Sequence, residues 1–209
     1  TRTISSAASD VYKRQTNESI EQTFKSSIDA KCVNVEGEIV ECNIEEVDIE
    51  KNEDTLPIYI RMDNDEVQGI ALPIAGKGLW STIYGYIALN PDTDSVLGIQ
   101  FYKHGETPGL GGEVEKKWFT DNFVNHPLNQ PNWEIQYVPK RIRDKSGKII
   151  SIKVVKGGVD YSESNTSSIH QVDGISGATV TADGVTDFLL EDLLRYEKTL
   201  DKIRDYGTI

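Results

Sequence analysis

From Leu56 onwards, apolar residues alternate with polar ones in a pattern that predicts strands. Ile58 and Ile60 stand at alternate positions, as expected for a strand with one buried face. Turn-forming sequences at 63–65 and 90–92 separate the first strands from the next. Further strands are predicted at 67–74, 80–89, 95–103, 135–138 and 149–155, and the pair 80–89 and 95–103 is predicted to form a β-hairpin.

Helical spacing marks three other segments. The clearest covers 183–204, where Val185, Leu189, Leu193, Tyr196, Leu200 and Ile203 recur every three or four residues. Thr181 is its predicted N-cap, with Asp183 in the first turn. Residues 113–123 and 16–31 carry weaker helical patterns. Strands joined by turns, with helices near the ends, predict an α+β fold built on a mainly antiparallel sheet.

Charge is distributed unevenly along the 209 residues. There are 22 basic and 34 acidic side chains, a formal net charge of −12, which argues against general nucleic-acid binding because that needs a basic face. Residues 18–66 carry 15 acidic and 4 basic side chains, whereas 140–156 carry seven basic residues and one acid. These segments are interpreted either as solvated faces or as docking surfaces. The sequence contains no run of about 18 apolar residues, so it predicts no membrane span within these residues.

Three glycine-containing segments are candidates for chemistry. The first, DGISGAT at 173–179, precedes the long predicted helix. It is either a helix-start turn with capping hydroxyls or an anion site that uses the free N–H groups of the helix N-terminus. The second is HGETPGLGG at 104–112, and the third is GKGLWS at 76–81. No His, Cys or acidic group shows metal-ligand spacing, so no metal site is predicted.

Together these segments resemble the C subunit of the Na⁺-translocating NADH:quinone oxidoreductases, over about 56–194. DGISGAT is similar to the acceptor motif for covalent FMN, in which a transferase that uses FAD links the FMN phosphate to the final threonine. The resemblance implies a phosphoester on Thr179 and makes Asp173 part of what the transferase recognises. The alternative role for Asp173 is a local Asx-turn.

The resemblance also implies a flavin site assembled from all three segments. Its implied cofactor-binding residues are Asp173, Ser176, Gly177, Ala178, Thr179, Leu79, Trp80, Ser81, Glu106, Thr107, Gly109, Leu110 and Gly111. Leu79 and Leu110 would give apolar contact to the ring, and Trp80 would either stack on it or fill the core. Ser81 and Thr107 would form hydrogen bonds with the cofactor. Glu106 is interpreted as an acceptor that fixes a loop rather than as a proton carrier.

The family implies an electron-carrying subunit of a sodium-pumping translocase, with no catalytic residue of its own. Its expected partners are the other subunits of the membrane complex and the flavin transferase. The expected location is the bacterial inner membrane, with the flavin domain on the periplasmic side. Residues 1–15 resemble a non-native leader, 16–55 are an acidic region that would follow a missing membrane anchor, and 56–209 are the expected FMN-binding domain.

The sequence leaves two rival interpretations of function open, and it does not decide whether the two cysteines form a disulfide. The G subunit of the related Rnf ferredoxin:NAD⁺ oxidoreductase shares the acceptor and ETPGLG motifs, although GKGLWS and the longer GETPGLGGEVEKKWF sequence favour the C subunit of the sodium-pumping family. A flavin-free structural domain would use SGAT only as a helix cap. Cys32 and Cys42 would either pair in an oxidising compartment or remain independent thiols.

Overall fold

The computed structural model describes residues 27–51, 54–64, 66–129, 135–162 and 164–207. Among them, six strands form one antiparallel sheet in the order β2-β1-β3-β4-β5-β6. The strands are β1 (Ile28–Asn34), β2 (Ile39–Val40), β3 (Thr55–Asp63), β4 (Glu66–Lys77), β5 (Thr82–Leu89) and β6 (Val96–Lys103). This architecture confirms the predicted α+β class, and β5 pairs with β6 as the predicted hairpin.

The N-terminal edge of the sheet differs from the prediction. Residues 28–31, predicted as the end of a helix, belong to β1, which pairs with β3 along its whole length, from Ile28 opposite Arg61 to Asn34 opposite Thr55. A continuous strand ladder outweighs a weak i, i+4 spacing. Of the rest of that predicted helix, residues 16–26 lie outside the described residues. A disulfide joins Cys32 to Cys42, with the two Cα atoms 6.1 Å apart, so the cysteines pair.

Short elements follow the large sheet. They are α1 (Lys117–Thr120), β7 (Asn125–Asn129), β8 (Ile135–Pro139), β9 (Lys153–Val155) and β10 (Gln171–Asp173), with 3₁₀ turns at Gly111–Glu115, Asp121–Phe123 and Ser168–His170. The predicted helix over 113–123 is therefore broken into a short α-helix between 3₁₀ turns. Val114 and Phe119 are buried there, whereas Trp118 is exposed.

The long C-terminal helix is divided in two. Helix α2 spans Thr179–Arg195 and helix α3 spans Glu197–Tyr206. The break falls at Tyr196, which is fully buried and donates a 2.8 Å hydrogen bond from its hydroxyl to the Pro57 carbonyl oxygen of β3. Ala178, not Thr181, is the N-cap of α2. No helix within the described ranges is both long and apolar enough to cross a bilayer.

Helix α2 packs against the apolar face of the sheet. Phe188 of the helix lies edge-on to Phe101 of β6, with 6.5 Å between ring centroids. A Cβ atom on Gly76 would lie 2.0 Å from the Cβ of Phe188, so the helix needs glycine at this point of β4. This contact places the N-terminus of α2 beside the end of β4.

Two of the seven basic residues in 140–156 are interior. Lys140 is buried, with its ammonium donating hydrogen bonds to the carbonyl oxygens of Ser168 and Gln171. Arg143 is also buried and forms an ion pair with Asp201 at 3.0 Å. For these two residues the interpretation as a solvated face is wrong, because they fasten loops to the core.

Candidate functional site

The DGISGAT segment forms a tight turn that leads directly into helix α2. The Ala178 N–H donates a 3.1 Å hydrogen bond to the Ile175 carbonyl oxygen, and Gly177 has a left-handed φ of +76°. No side chain caps the helix, so the interpretation of this segment as a turn with capping hydroxyls is wrong. The N–H groups of the first helical turn have no partner inside the helix. Thr179, the first residue of α2, is exposed.

Asp173 fastens this turn to a neighbouring loop. Its Oδ1 accepts a 2.7 Å hydrogen bond from the Val159 N–H, which is 14 residues away in sequence, so the local Asx-turn interpretation is wrong. The Gly174 N–H donates to the Gly157 carbonyl oxygen at 3.0 Å. A Cβ on Gly174 would lie 2.3 Å from the Val155 carbonyl oxygen. Glycine at 174 therefore permits the close approach of β9 to the turn.

The GKGLWS segment forms a second tight turn at the end of β4. The Gly78 N–H donates a 2.8 Å hydrogen bond to the Ser81 carbonyl oxygen. The Ser81 hydroxyl oxygen accepts a 2.6 Å hydrogen bond from the Gly105 N–H and so joins this turn to the third segment. Leu79 is 46% exposed and Trp80 is 71% exposed. Trp80 thus does not fill the core, and both apolar side chains face solvent.

Glu106 lies buried between the two loops and the helix. Its Oε1 accepts hydrogen bonds from the N–H groups of Trp80 at 2.9 Å and Ser81 at 3.3 Å. Its Oε2 accepts from the Leu79 N–H at 3.2 Å and from the Thr181 hydroxyl at 2.6 Å. Burial raises the pKa of Glu106, but these four hydrogen bonds outweigh it and the net pKa is lowered. The carboxylate is therefore a charged acceptor that fixes the loop.

The third segment brings Leu110 to the acceptor turn. The Thr107 carbonyl oxygen accepts hydrogen bonds from the Leu110 N–H at 3.1 Å and the Gly112 N–H at 2.9 Å, and Gly109 has a φ of +74°. A Cβ on Gly177 would lie 2.9 Å from Cδ2 of Leu110. The half-exposed Leu110 side chain thus rests on the turn that precedes Thr179.

Glycine at position 111 makes room for the carboxylate. A Cβ on Gly111 would lie 2.5 Å from the Thr181 hydroxyl oxygen and 2.6 Å from Oε2 of Glu106. Gly111 is itself buried. Its role is therefore to admit this hydrogen bond rather than to offer a surface.

The structure brings the three predicted segments together around Thr179. Thr179, Ser176 and Gly177 line a cleft of about 290 Å³, and Leu79 and Val180 line a neighbouring cleft of about 560 Å³. Val180 follows Thr179 and is exposed. It is not among the site residues predicted from the sequence, although an apolar residue directly after the DGISGAT segment could have indicated one. An exposed hydroxyl at an uncapped helix N-terminus fits a phosphate, and flanking apolar side chains fit a planar ring.

Thr181 and Trp118 are the other neighbours that the sequence does not place here. Thr181 is predicted only as a helix cap. Trp118 lines a cleft of about 800 Å³ with Gly109 and Ser176. Its position within a weak helical pattern suggests an inward-facing residue, and no sequence signal indicates otherwise.

The chain is similar to several known proteins. The FMN-binding domain family matches residues 78–192. Over 161 residues the chain is 40% identical to the C subunit of the Na(+)-translocating NADH-quinone reductase of Vibrio alginolyticus, covering 76% of this chain and 55% of that protein. The Pseudomonas aeruginosa protein of the same name is 38% identical over 141 residues, 68% of this chain and 48% of that protein. The chain spans about half the length of the curated relatives it matches.

A solved structure extends the similarity to the fold. The crystal structure of the C subunit of a Na(+)-translocating NADH-quinone reductase from Parabacteroides distasonis superimposes with a TM-score of 0.72 and 31% identity. The match covers 88% of this chain and 84% of that chain. These similarities favour the C subunit of the sodium-pumping family over the Rnf protein and over a flavin-free domain.

Proposed function

Because the chain belongs to the family of C subunits of the Na(+)-translocating NADH-quinone reductases, we propose that it holds FMN covalently through a phosphoester to Thr179. The observation that carries this proposal is the exposed Thr179 hydroxyl at the uncapped N-terminus of α2. Leu79, Leu110 and Val180 are exposed apolar side chains. Leu110 lies against Gly177, and Leu79 and Val180 line the neighbouring cleft. A tethered flavin suits an open site of this kind, from which a free cofactor would diffuse away.

The attachment step is a phosphoryl transfer to a hydroxyl. The Thr179 oxygen forms a new P–O bond to the FMN phosphorus of FAD, the pyrophosphate P–O bond breaks, AMP leaves, and the hydroxyl proton is released. Thr179 is the acceptor in this reaction, and a flavin transferase supplies the catalysis. Small residues at 177 and 178 leave the turn accessible to that enzyme. The N–H groups and dipole of α2 favour the phosphate negative charge.

The remaining residues position the cofactor. FMN, when bound, supplies the capacity to accept and pass on electrons. Leu79, Trp80 and Leu110 would contact the apolar ring, and Ser81 and Thr107 would form hydrogen bonds with the cofactor. Glu106 holds the loop that presents Leu79 and Trp80. The chain is thus an electron carrier whose protein part sets the position of the flavin.

The relatives' names support a role for this chain in a larger assembly. We infer that the chain works with the other subunits of a sodium-translocating NADH-quinone reductase, a membrane complex, and is matured by a flavin transferase. The proposed arrangement has a membrane anchor ahead of the acidic region 16–55, and the FMN-binding domain 56–209 on the periplasmic side. Strands β1 and β2 of 16–55 belong to the same sheet as the later strands, so this region would connect the anchor to the domain directly.

The proposal is tested by co-expression with and without an active flavin transferase. The protein is denatured, separated on a gel and inspected for flavin fluorescence in its band. A fluorescent band is expected for the wild type and for Thr179→Ser, and a dark one for Thr179→Ala. Thr166→Ala, which removes another exposed threonine, is the matched control and stays fluorescent. A dark wild-type band in the presence of an active transferase contradicts the proposal.

A further inference from the structure

One buried hydroxyl of helix α2 faces the two loops rather than the solvent. Thr181 is 1% exposed and donates the 2.6 Å hydrogen bond to Oε2 of Glu106. Thr179 lies two residues earlier, about 200° away around the helix, and is exposed. The first turn of α2 therefore exposes Thr179 to solvent, while the Thr181 hydroxyl is hydrogen-bonded to Glu106 of the site loops. We call this Thr181–Glu106 hydrogen bond the latch.

Glu106 also connects helix α2 to the GKGLWS turn. Its two oxygens accept hydrogen bonds from the N–H groups of Leu79, Trp80 and Ser81. With the N–H groups directed inwards at the carboxylate, the side chains of Leu79 and Trp80 project from the surface. The orientation of the apolar residues thus depends on where the carboxylate is held.

The surroundings of the carboxylate are shaped for this arrangement. A Cβ on Gly78 would lie 2.6 Å from Oε1 of Glu106, and one on Gly111 would lie equally close to Oε2. Bulkier residues at either position would push the carboxylate away from the loop or from Thr181. The hydrogen bond from Thr181 is the shortest of the four that Glu106 accepts.

We propose that Thr181 is a positioning residue of the flavin site, which fixes Leu79 and Trp80 relative to Thr179 by holding Glu106. This inference rests on the proposed function, because a positioning role requires that the site holds a flavin. The latch itself belongs to the protein without cofactor and is measurable there. Without the hydroxyl, Oε2 keeps only the longer bond from the Leu79 N–H, and no hydrogen bond from helix α2 holds the carboxylate.

Three variants separate positioning from general stability. Thr181→Val removes the hydroxyl with little change of shape, and Thr181→Ser keeps the hydroxyl. Thr199→Val is the matched control, since Thr199 is also 1% exposed and its hydroxyl has no hydrogen-bond partner among the described residues. If Thr181→Val does not fold, Thr181→Ala takes its place beside Thr181→Ser.

The first readout is amide hydrogen exchange in the protein without flavin. In Thr181→Val, the N–H groups of Leu79, Trp80 and Ser81 are expected to exchange about tenfold faster, the effect of weakening one hydrogen bond to a charged group. Thr181→Ser and Thr199→Val are expected to keep the wild-type rates. Unchanged rates in Thr181→Val, or equal acceleration in Thr199→Val, overturn the inference.

The second readout is the visible circular dichroism of the attached flavin, which reports the asymmetry of its surroundings. A shift or loss of the band is expected in Thr181→Val, with wild-type spectra in Thr181→Ser and Thr199→Val. Identical spectra in all four proteins overturn the inference while leaving the proposed function intact. If the wild type accepts no flavin, the proposed function fails, whereas the exchange experiment still decides whether the latch exists.

Discussion

A Cβ atom placed on Gly184 would lie 2.2 Å from the carbonyl oxygen of Lys77, so helix α2 crosses the end of β4 at backbone contact. This crossing lies about one and a half turns after Thr179, on the helix that carries the proposed acceptor hydroxyl. It also lies within the GKGLWS segment, directly before Gly78, Leu79 and Trp80. The spacing between helix and strand therefore sets how far the acceptor stands from its apolar neighbours.

The crossing predicts a strong effect of a single methyl group. Gly184→Ala is expected to lower the free energy of unfolding by about 1–3 kcal/mol, because the backbone atoms that it meets cannot move aside cheaply. Gly98→Ala, on strand β6, meets nothing within 4 Å and is expected to change stability by less than about 0.5 kcal/mol. Urea unfolding of both variants measures the difference. Equal stabilities would refute the close crossing.

Asp192 predicts a gain of stability on mild acidification. Burial raises its pKa to about 6 from a usual value of 3.8, against the hydrogen bonds from the Ala75 N–H and Arg195. Between about pH 6 and 4 the folded state then binds more protons than the unfolded state, so stability rises as pH falls. The stability of the wild type relative to Asp192→Asn is expected to increase across this window, by up to about 3 kcal/mol. Urea titrations at several pH values test this, and a decrease would contradict it.

Lys140 predicts the opposite trend at alkaline pH. Burial lowers its pKa to about 8 from 10.5, although the nearby Asp173 charge raises it. Between about pH 8 and 10.5 the unfolded state binds more protons, so this group makes the protein more stable as pH rises. Relative to Lys140→Met, which is neutral throughout, the wild type is expected to gain up to about 3 kcal/mol. A constant difference in unfolding free energy over this range would rule out a buried lysine.

Substitution of Trp80 is expected to change the surroundings of the flavin without changing the stability of the protein. Its side chain is 71% exposed, so Trp80→Ala is expected to change the free energy of unfolding by less than about 0.5 kcal/mol. In the proposed site the indole would lie beside the ring and quench flavin emission, so the attached flavin of Trp80→Ala is expected to fluoresce more strongly. Tyr206→Ala, which removes a 78% exposed ring on α3, is the control and leaves the emission unchanged. Emission of Trp80→Ala equal to that of the wild type would place the indole away from the ring.

The sequence predicts the parts of the fold that depend on local pattern. Alternation beyond Leu56 identifies the central strands, and the three motifs converge at one site. Strand β1 is not predicted because the spacing of Ile20, Phe24 and Ile28 suggests a helix, whereas the strand is fixed by pairing with β3. A local pattern cannot encode a partner strand that begins 21 residues after Asn34, at Thr55.

The polar contacts of the site escape prediction for the same physical reason. A hydroxyl near a helix start usually serves as a cap, which is the role predicted for Thr181, yet Thr181 bonds Glu106 from 75 residues away. Asp173 has the chemistry of a local turn former but bonds Val159. In both cases the sequence supplies the correct chemistry, and the partner comes only from how the loops are brought together.

The phosphoester on Thr179 is tested most directly by peptide mass spectrometry. Trypsin cleavage after Lys156 and Arg195 releases the intervening segment as one peptide, because no Lys or Arg lies between them. From protein matured with an active flavin transferase, this peptide is expected to carry the mass of one FMN phosphoester. Fragmentation is expected to place it on Thr179 rather than on Thr166, Thr181 or Thr186. An unmodified peptide, or FMN on another residue, would contradict the account.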